Sequence, residues 1–310
     1  MLLRRTLRVV MVLALALLGA VQSGATVQAV EGRTPSGRQL LFYNHAYGVL
    51  DRETADAIEH SAYLRKFANF QVRTTTGSGG QTWTGRYLMG RETYLELFGV
   101  GDLPDPDGRL GSAGMGVSTE RAGDLAKVLD RLRDLGVGKP FEFLQTRDFG
   151  DGVPVPWFDA VFTTDQYDAF GAWAMEYRPE YFADPRGRTE PPNYPGDVGR
   201  ERYLPDAYQE HQMRDVTGVH LAVTARDLAN TVPLLRAGGF DVRPAPGDGI
   251  VAHRGGTTLR IDSVARGQVG LRQVEMALNH PVQRHVEQIG HSTLTAGPGA
   301  HATWTFATPE

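Results

Sequence analysis

The order of predicted elements repeats along this chain, and the repeat constrains the fold more than any other feature. A strand, a helix and three further strands are predicted three times, with the first strands at Leu40–Tyr47, Gly114–Thr119 and Val216–Thr224. Because each unit pairs a strand pattern with one amphipathic helix, no unit can bury its apolar surface alone. The sequence therefore predicts an α+β fold in which βαβββ units pair into a curled mixed sheet.

The first two units are the most regular. In the first, Asp51 can cap a helix with Ala55, Ile58 and Ala62 on one face, and in the second, Asp124 can cap a helix with a leucine-rich stripe. Glycines supply the breaks between strands. The remaining strands are predicted at Phe70–Thr76, Thr82–Met89, Thr93–Val100, Pro140–Thr146, Trp157–Thr164 and Ala172–Arg178.

The third unit is followed by a closing hairpin. Its helix is predicted around Thr231–Ala237, with Pro233 in the first turn, where proline is tolerated. Its strands are predicted at Phe240–Pro244, Thr257–Ser263 and Leu271–Leu278, and the hairpin at Ser292–Ala296 and His301–Phe306. We therefore expect paired units over residues 38–183, a Pro/Gly-rich linker over 184–214, and a third unit with its hairpin over 215–310.

The N-terminus predicts a cleavable signal peptide over residues 1–29. Arg4, Arg5 and Arg8 precede the apolar run Val9–Leu18, which is too short to span a bilayer, and Val27-Gln28-Ala29 fits a cleavage site. The paired arginines also fit a twin-arginine signal, so both export routes stay open. We expect a secreted or extracytoplasmic protein without stable membrane insertion after cleavage.

Composition excludes several functional classes. The formal net charge is −4 and would become −7 without the signal arginines, which argues against a nucleic-acid partner. The chain has no cysteine, and therefore neither a disulfide nor a thiol nucleophile. Neither a Gly-x-Ser-x-Gly elbow nor a phosphate-binding glycine loop appears.

Histidine and glutamate recur at matching places in the units. His45 lies on the first strand of unit one and Glu96 on its last, while unit three has His220 and Glu275 in the corresponding predicted strands. Unit two offers Glu176 on its last strand. Imidazole and carboxylate together can hold Fe, Mn, Zn, Ni or Co. Each residue also has an ordinary interpretation as a hydrogen-bonded or solvent-facing strand residue, and Glu176 could pair with Arg178.

The unit order and the placement of histidine and glutamate resemble the vicinal oxygen chelate superfamily, which includes glyoxalases, extradiol dioxygenases and bleomycin-resistance proteins. The resemblance implies paired βαβββ units that form a cup around a divalent metal. It implies metal-ligand roles for His45, Glu96, His220 and Glu275, or for Glu176 in place of the unit-three residues if units one and two pair.

Three units depart from the even count of that superfamily. The third unit is structural, or pairs with a second chain in a homodimer, or is completed by the hairpin as part of a fourth unit. Two small-molecule functions are open for the cup, beside a structural or interaction role in which the sites are vestigial. One is an exported metal-dependent small-molecule enzyme, a lyase, isomerase or dioxygenase, in which Glu96 doubles as a catalytic base. The alternative is a metal-free protein that binds or sequesters a small molecule.

Overall fold

The computed structural model describes residues 37–309. The signal peptide predicted for residues 1–29 lies outside this range and stays a prediction. Within the range, none of the helices combines the length and the apolar character needed to cross a membrane.

The first unit begins with a buried strand that leads directly into a capped helix. The Asp51 carboxylate accepts a hydrogen bond from the Thr54 amide at 2.8 Å, as predicted, and Ala55 and Ile58 are fully buried. The elements of this unit are β1 (Phe42–Leu50), α1 (Arg52–His60), α2 (Ala62–Phe67), β2 (Asn69–Gly77), β3 (Thr82–Met89) and β4 (Tyr94–Gly99).

The second unit repeats this order with one difference at its helix cap. Gly123 occupies the cap position, and Asp124, predicted as the cap, lies in the first turn and pairs with Arg38 at 2.6 Å. The predicted apolar stripe faces the core through Leu125, Val128 and Leu132. The elements are β5 (Ala113–Ser118), α3 (Asp124–Asp134), β6 (Phe141–Asp148), β7 (Val155–Phe162) and β8 (Phe170–Tyr177).

Units one and two close into a barrel with the strand order β1-β4-β3-β2-β6-β7-β8-β5. The central strand β1 pairs in parallel with β4 and antiparallel with β5. At the opposite side, β2 and β6 pair over only two residue pairs, at Thr76 and Gly77. The predicted α+β fold, with βαβββ units paired into a curled mixed sheet, is confirmed.

The rest of the chain forms a second, open sheet of eight strands. It contains β9 (Met213–Val223), α6 (Ala225–Gly238), β10 (Asp241–Ala245), β11 (Gly249–Arg254), β12 (Thr257–Ser263), β13 (Gly270–Val282), β14 (His285–Ile289), β15 (Ser292–Ala296) and β16 (Gly299–Phe306). The strand order is β10-β11-β12-β9-β13-β16-β15-β14. The predicted closing hairpin is β15 and β16.

The open sheet repeats the strand order of the barrel. Strand β9 pairs in parallel with β12 and antiparallel with β13, as β1 does with β4 and β5. Three strands flank the β9/β13 pair on each side, which gives each half of the sheet four strands, so β13–β16 form a fourth unit that lacks the helix. Of the three interpretations of the third unit, the structure therefore favours completion by a fourth, with the sheet left open between β10 and β14.

Two predictions for the third unit were wrong. Its last strand is Thr257–Ser263 and not Leu271–Leu278, because the tight turn after Ala245 returns the chain at once as Gly249–Arg254, a strand that the sequence analysis missed. Pro233 lies well inside α6, since the helix already begins at Ala225 with Thr224 as its cap.

The segment between the barrel and the open sheet packs closely on the barrel. It contains α4 (Pro179–Ala183) and α5 (Arg200–Tyr203), and Tyr203 stacks on Tyr177 of β8 with ring centroids 4.3 Å apart. Arg200 is buried and reaches three separate strands or loops of the barrel. Of residues 184–214, predicted as a linker, the part around α5 is therefore held against the barrel wall, while Met213 and Arg214 already belong to β9 of the open sheet.

Candidate functional site

A cavity lined mainly by aromatic side chains opens inside the barrel. It holds about 880 Å³ of empty space, part of it open to solvent. Four polar side chains, His45, Glu96, Gln145 and Asp107, interrupt the aromatic lining. The principal aromatic residues are Tyr47, Trp83, Tyr94, Phe98, Phe143, Trp157, Phe158, Phe162, Tyr167, Trp173 and Tyr177. Such a lining suits a flat, largely apolar ligand.

A β-bulge in β1 places two adjacent side chains in the same interior. The register with β5 shifts between Tyr43 and His45, which leaves Asn44 without a partner residue on β5. Neighbouring strand residues normally point to opposite faces, and a bulge removes that constraint. Asn44 and His45 are both buried, and the Oδ1 atom of Asn44 lies 2.8 Å from Nδ1 of His45.

The side-chain amide of Asn44 fixes the orientation of the His45 ring. Its nitrogen donates to the Ser118 hydroxyl at 3.0 Å and to the Tyr177 hydroxyl at 3.2 Å, so its oxygen faces the imidazole. Nδ1 of His45 therefore carries the proton, and the lone pair of Nε2 points into the cavity. The sequence pattern does not predict a role for Asn44, whose only signal is its position next to His45.

Nε2 of His45 faces Glu96, as the unit pattern predicted. The distance between Nε2 and the nearer carboxylate oxygen of Glu96 is 3.7 Å. The imidazole stacks on Tyr94 with ring centroids 4.4 Å apart and meets the edge of Trp173 at 5.3 Å. Both polar side chains are therefore held rigidly on the first and last strands of one unit.

Burial shifts the protonation equilibria of both residues away from the charged form. It lowers the pKa of His45 to about 3, so the imidazole is neutral near pH 7. Burial raises the pKa of Glu96 to about 7, although a hydrogen bond from Tyr87 and the positive charge of Arg73 act in the opposite direction. A carboxyl group with this pKa can either give or take a proton at neutral pH.

Two loops meet beside the cavity through Asp107 and Tyr167. The Tyr167 hydroxyl donates to the Asp107 carboxylate at 2.8 Å, and both residues line the cavity. Burial raises the pKa of Asp107 to about 6, despite the hydrogen bond from Tyr167. The cavity thus has a second carboxyl group, on a loop and outside the pair formed by His45 and Glu96.

Glu176 lies outside the cavity, although units one and two pair as one interpretation required. On β8 the cavity-lining residues alternate as Gly171, Trp173, Met175 and Tyr177, so Glu176 points to the other face. Its carboxylate accepts hydrogen bonds from the Gly123 amide at 2.8 Å and the Leu125 amide at 3.0 Å. Glu176 therefore satisfies free amides at the start of α3, and its proposed ligand role at this site is corrected.

Replacing Glu176 by alanine is expected to lower the free energy of unfolding by roughly 1–2 kcal/mol, because two amides at the start of α3 lose their acceptor. Binding in the cavity should not change. Urea unfolding measures the first effect. Glu180→Ala is the control, since that carboxylate pairs with Arg178 on the surface and should matter little. A loss of cavity binding in Glu176→Ala alone would contradict this assignment.

His220 and Glu275 lie on the open sheet, away from the barrel cavity. Nε2 of His220 is 2.7 Å from the carboxylate of Asp262 on β12, while Glu275 is exposed and accepts a hydrogen bond from Gln273. The strand registers explain why His220 faces Asp262 and not the predicted Glu275. His45 pairs with Tyr94, two residues before Glu96, and His220 pairs with Arg260, two residues before Asp262. The counterpart of Glu96 is thus Asp262, and Glu275 lies on the strand that corresponds to β5.

The donors in the barrel fit a divalent metal only in part. Imidazole and carboxylate are suitable ligands, and a separation of 3.7 Å leaves room for an ion about 2.1 Å from each. A catalytic metal usually has three protein ligands. Across residues 37–309, no group of three His, Asp or Glu side chains that could hold a metal comes together. Unit two contributes Gly116 and Trp173 around His45, so the set is one ligand short.

Solved structures with a similar arrangement share little sequence with this chain. A hypothetical protein from Staphylococcus aureus is 11% identical, with a TM-score of 0.48. The match covers 81% of this chain and 96% of that protein. A fusion protein of a xylose isomerase-like TIM barrel and 4-hydroxyphenylpyruvate dioxygenase is 12% identical, with a TM-score of 0.39 and coverage of 73% and 33%. Homoprotocatechuate 2,3-dioxygenase from Arthrobacter globiformis is 13% identical, with a TM-score of 0.37 and coverage of 75% and 63%.

Sequence comparison identifies the family directly. No curated protein matches the chain. The model of a family of unknown function matches residues 43–306, which include both sheets and the complete cavity. The chain therefore belongs to the family of unknown function DUF5829.

Proposed function

We propose that the barrel binds an aromatic or largely apolar small molecule and that Glu96 exchanges a proton with it. The observation that carries the proposal is the His45 and Glu96 pair within an aromatic cavity. The aromatic walls supply apolar contact, and the fixed Nε2 lone pair of His45 accepts a hydrogen bond from the ligand or from protonated Glu96. The paired βαβββ units and the first-strand histidine with a last-strand glutamate also support a place in the vicinal oxygen chelate superfamily.

Tryptophan fluorescence provides a direct test of binding. Trp83, Trp157 and Trp173 line the cavity, while the fourth tryptophan, Trp304, is buried in the open sheet. A neutral nitroaromatic compound, para-nitrophenethyl alcohol, should quench most of the emission with saturable dependence on its concentration. If quenching instead increases in proportion to the concentration of this compound without saturation, the result would contradict a binding cavity.

A cavity-filling variant makes this test specific. Gly171 lines the cavity, and a β-carbon added there would meet Phe162 and Tyr167 only at ordinary contact distances of 3.5 Å or more. Gly171→Leu should therefore fold normally and bind the alcohol at least about tenfold more weakly, because the leucine occupies the ligand space. Gly138→Leu is the control, since Gly138 has open space around it on the surface. Equal affinity in both variants would overturn the proposed location.

A second function, a metal-dependent enzyme, is favoured by the orientation that Asn44 imposes on Nε2 of His45 opposite Glu96. Metal analysis after purification without chelator separates the two functions. One transition-metal ion per chain that disappears in His45→Ala, but stays in His220→Ala, would establish a metal site in the barrel. Cavity binding that survives a chelator would instead support the metal-free function.

A further inference from the structure

We propose that Arg73 and Arg147 form a subsite for the oxyanion of the ligand, so that the cavity selects aromatic acids over neutral aromatic compounds. This inference rests on the proposed function, because it names the class of molecule that the barrel binds. A carboxylate is the simplest such group, and a phosphonate has the same chemistry.

Both arginines belong to the inner face of the barrel. Arg73 lies on β2 two residues before Thr75, whose cross-strand partner on β3 is the cavity residue Trp83. Arg147 lies on β6 two residues after the cavity residue Gln145. Residues two apart on a strand share a face, so each arginine lies on the barrel face that carries these cavity residues, next to the cavity lining itself. The two strands adjoin at the β2/β6 seam, where Arg147 pairs with Gly77.

Neither guanidinium group has a carboxylate partner. Within residues 37–309, neither Arg73 nor Arg147 lies within 4 Å of an acidic oxygen, whereas the buried Arg86 and Arg200 each contact two carboxylates. Arg73 rests on the Tyr87 ring at 4.4 Å, and its Nε atom is buried without a hydrogen-bond partner. Arg73 as a whole is half-buried, and a cation partly withdrawn from water without an anion is unfavourable, so a ligand anion would satisfy it.

The two charges act on the same part of the barrel. Arg147 donates to the Tyr181 hydroxyl at 2.7 Å and lies 5.4 Å from the centre of the cavity residue Trp157. The charges of Arg147 and Arg73 both act on the Tyr203 hydroxyl, and the charge of Arg73 also acts on Glu96. A ligand that spans from Glu96 towards the arginines would place its ring among the aromatic walls and its oxyanion at the planar guanidinium groups, which can bind it through paired hydrogen bonds.

Matched nitroaromatic probes test the subsite. Tryptophan quenching is titrated with para-nitrophenylacetic acid, para-nitrobenzylphosphonic acid and the neutral para-nitrophenethyl alcohol, which share one ring and a similar reach. We expect the ionised acids to bind at least about tenfold more tightly than the alcohol, and the preference to weaken as salt increases. Arg73→Met should remove most of this preference, so that the ratio of the affinities for the acids and for the alcohol falls towards one. Arg147→Met provides a second variant if Arg73→Met does not fold.

Arg65→Met is the matched control, because Arg65 lies over Phe70 at 5.3 Å but is exposed. It should leave the preference for the acids intact. If the wild-type protein binds acids and alcohol equally, or if the double variant of Arg73 and Arg147 keeps the preference, the subsite is wrong while the binding cavity stands. If none of the three probes binds, the proposed function itself fails.

Discussion

Replacing Arg200 by methionine is expected to lower the free energy of unfolding by roughly 3–5 kcal/mol, the range seen when one partner of a buried ion pair is removed. Arg200 is only 4% exposed. Its guanidinium group contacts Glu120 at 2.6 Å and Glu92 at 3.1 Å, and it donates to the Tyr43 carbonyl at 2.6 Å. Methionine keeps much of the apolar stem but removes this cation from two neighbouring carboxylates, of which Glu92 keeps a longer contact of 3.7 Å with Arg91.

The same substitution is expected to weaken cavity binding, because Tyr43 lies at the start of the bulge in β1. Without Arg200, the Tyr43 carbonyl loses its hydrogen-bond donor next to Asn44 and His45. An unpaired buried carbonyl is unfavourable, so the bulge should shift towards other conformations. Urea unfolding measures the stability, and quenching by para-nitrophenethyl alcohol measures the affinity.

Two further variants separate the buried charge from a general loss of ion pairs. Arg91→Met removes a partly exposed arginine that pairs with Glu201 at 2.8 Å and contacts Glu92 only at 3.7 Å, and it should lower the free energy of unfolding by less than about 1 kcal/mol. Adding Glu120→Gln to Arg200→Met should restore part of the stability, because one of the unpaired carboxylates is removed. A cost for Arg200→Met no larger than that for Arg91→Met would show that the segment over residues 184–214 is only loosely attached.

The sequence predicted the fold well where local chemistry determines it. The Asp51 cap, the buried face of α1 and the strands around His45 and Glu96 follow from cap chemistry and apolar periodicity, which depend on a few adjacent residues. The pairing of units one and two, and the closure of their sheet, depend on contacts between residues far apart in the chain. Periodicity carries no information about such contacts. The sequence therefore left open whether unit one pairs with unit two or with unit three.

The sequence pointed to the two central residues of the candidate site but not to the residues around them. His45 and Glu96 could be found because each stands out in an aromatic strand. Asn44 could not be assigned to the cavity, since strand alternation places it opposite His45 and only the bulge reverses this. Asp262 was overlooked for a different reason. The short strand β11 was missed, and the whole strand count of unit three shifted by one.

The pH dependence of stability should differ between Glu96→Gln and the wild-type protein. The pKa of Glu96 is about 7 in the folded state and 4.5 is its ordinary value, so between these pH values only the folded state keeps the proton. Unfolding then releases a proton, and this contribution to stability falls as pH rises through the window. Glutamine cannot titrate. Between pH 4.5 and about pH 7, the free energy of unfolding of Glu96→Gln should therefore rise by on the order of 3 kcal/mol relative to that of the wild-type protein.

His45 contributes with the opposite sign. Its pKa is about 3 in the folded state against an ordinary value of 6.5, so within this range only the unfolded chain binds the proton. Unfolding takes up a proton, and stability rises with pH until about 6.5 and falls as the solution is acidified towards pH 3. Between about pH 4.5 and 6.5 the slopes of the two residues oppose each other. In the wild-type protein this pair of residues should therefore cause little net change of stability with pH. Each single variant should show a clear slope over the same pH range.

Urea unfolding of chelator-treated protein at a series of pH values measures these slopes. Glu96→Gln should become more stable with rising pH, since the His45 contribution remains alone, and His45→Gln should become less stable for the converse reason. The double variant should lose both contributions, and His220→Gln on the open sheet controls for the substitution itself. Parallel stability curves for the wild-type protein and Glu96→Gln would mean that Glu96 ionises normally. In that case the aromatic cavity would still bind a ligand, but Glu96 would lose the property that suits it to proton transfer at neutral pH.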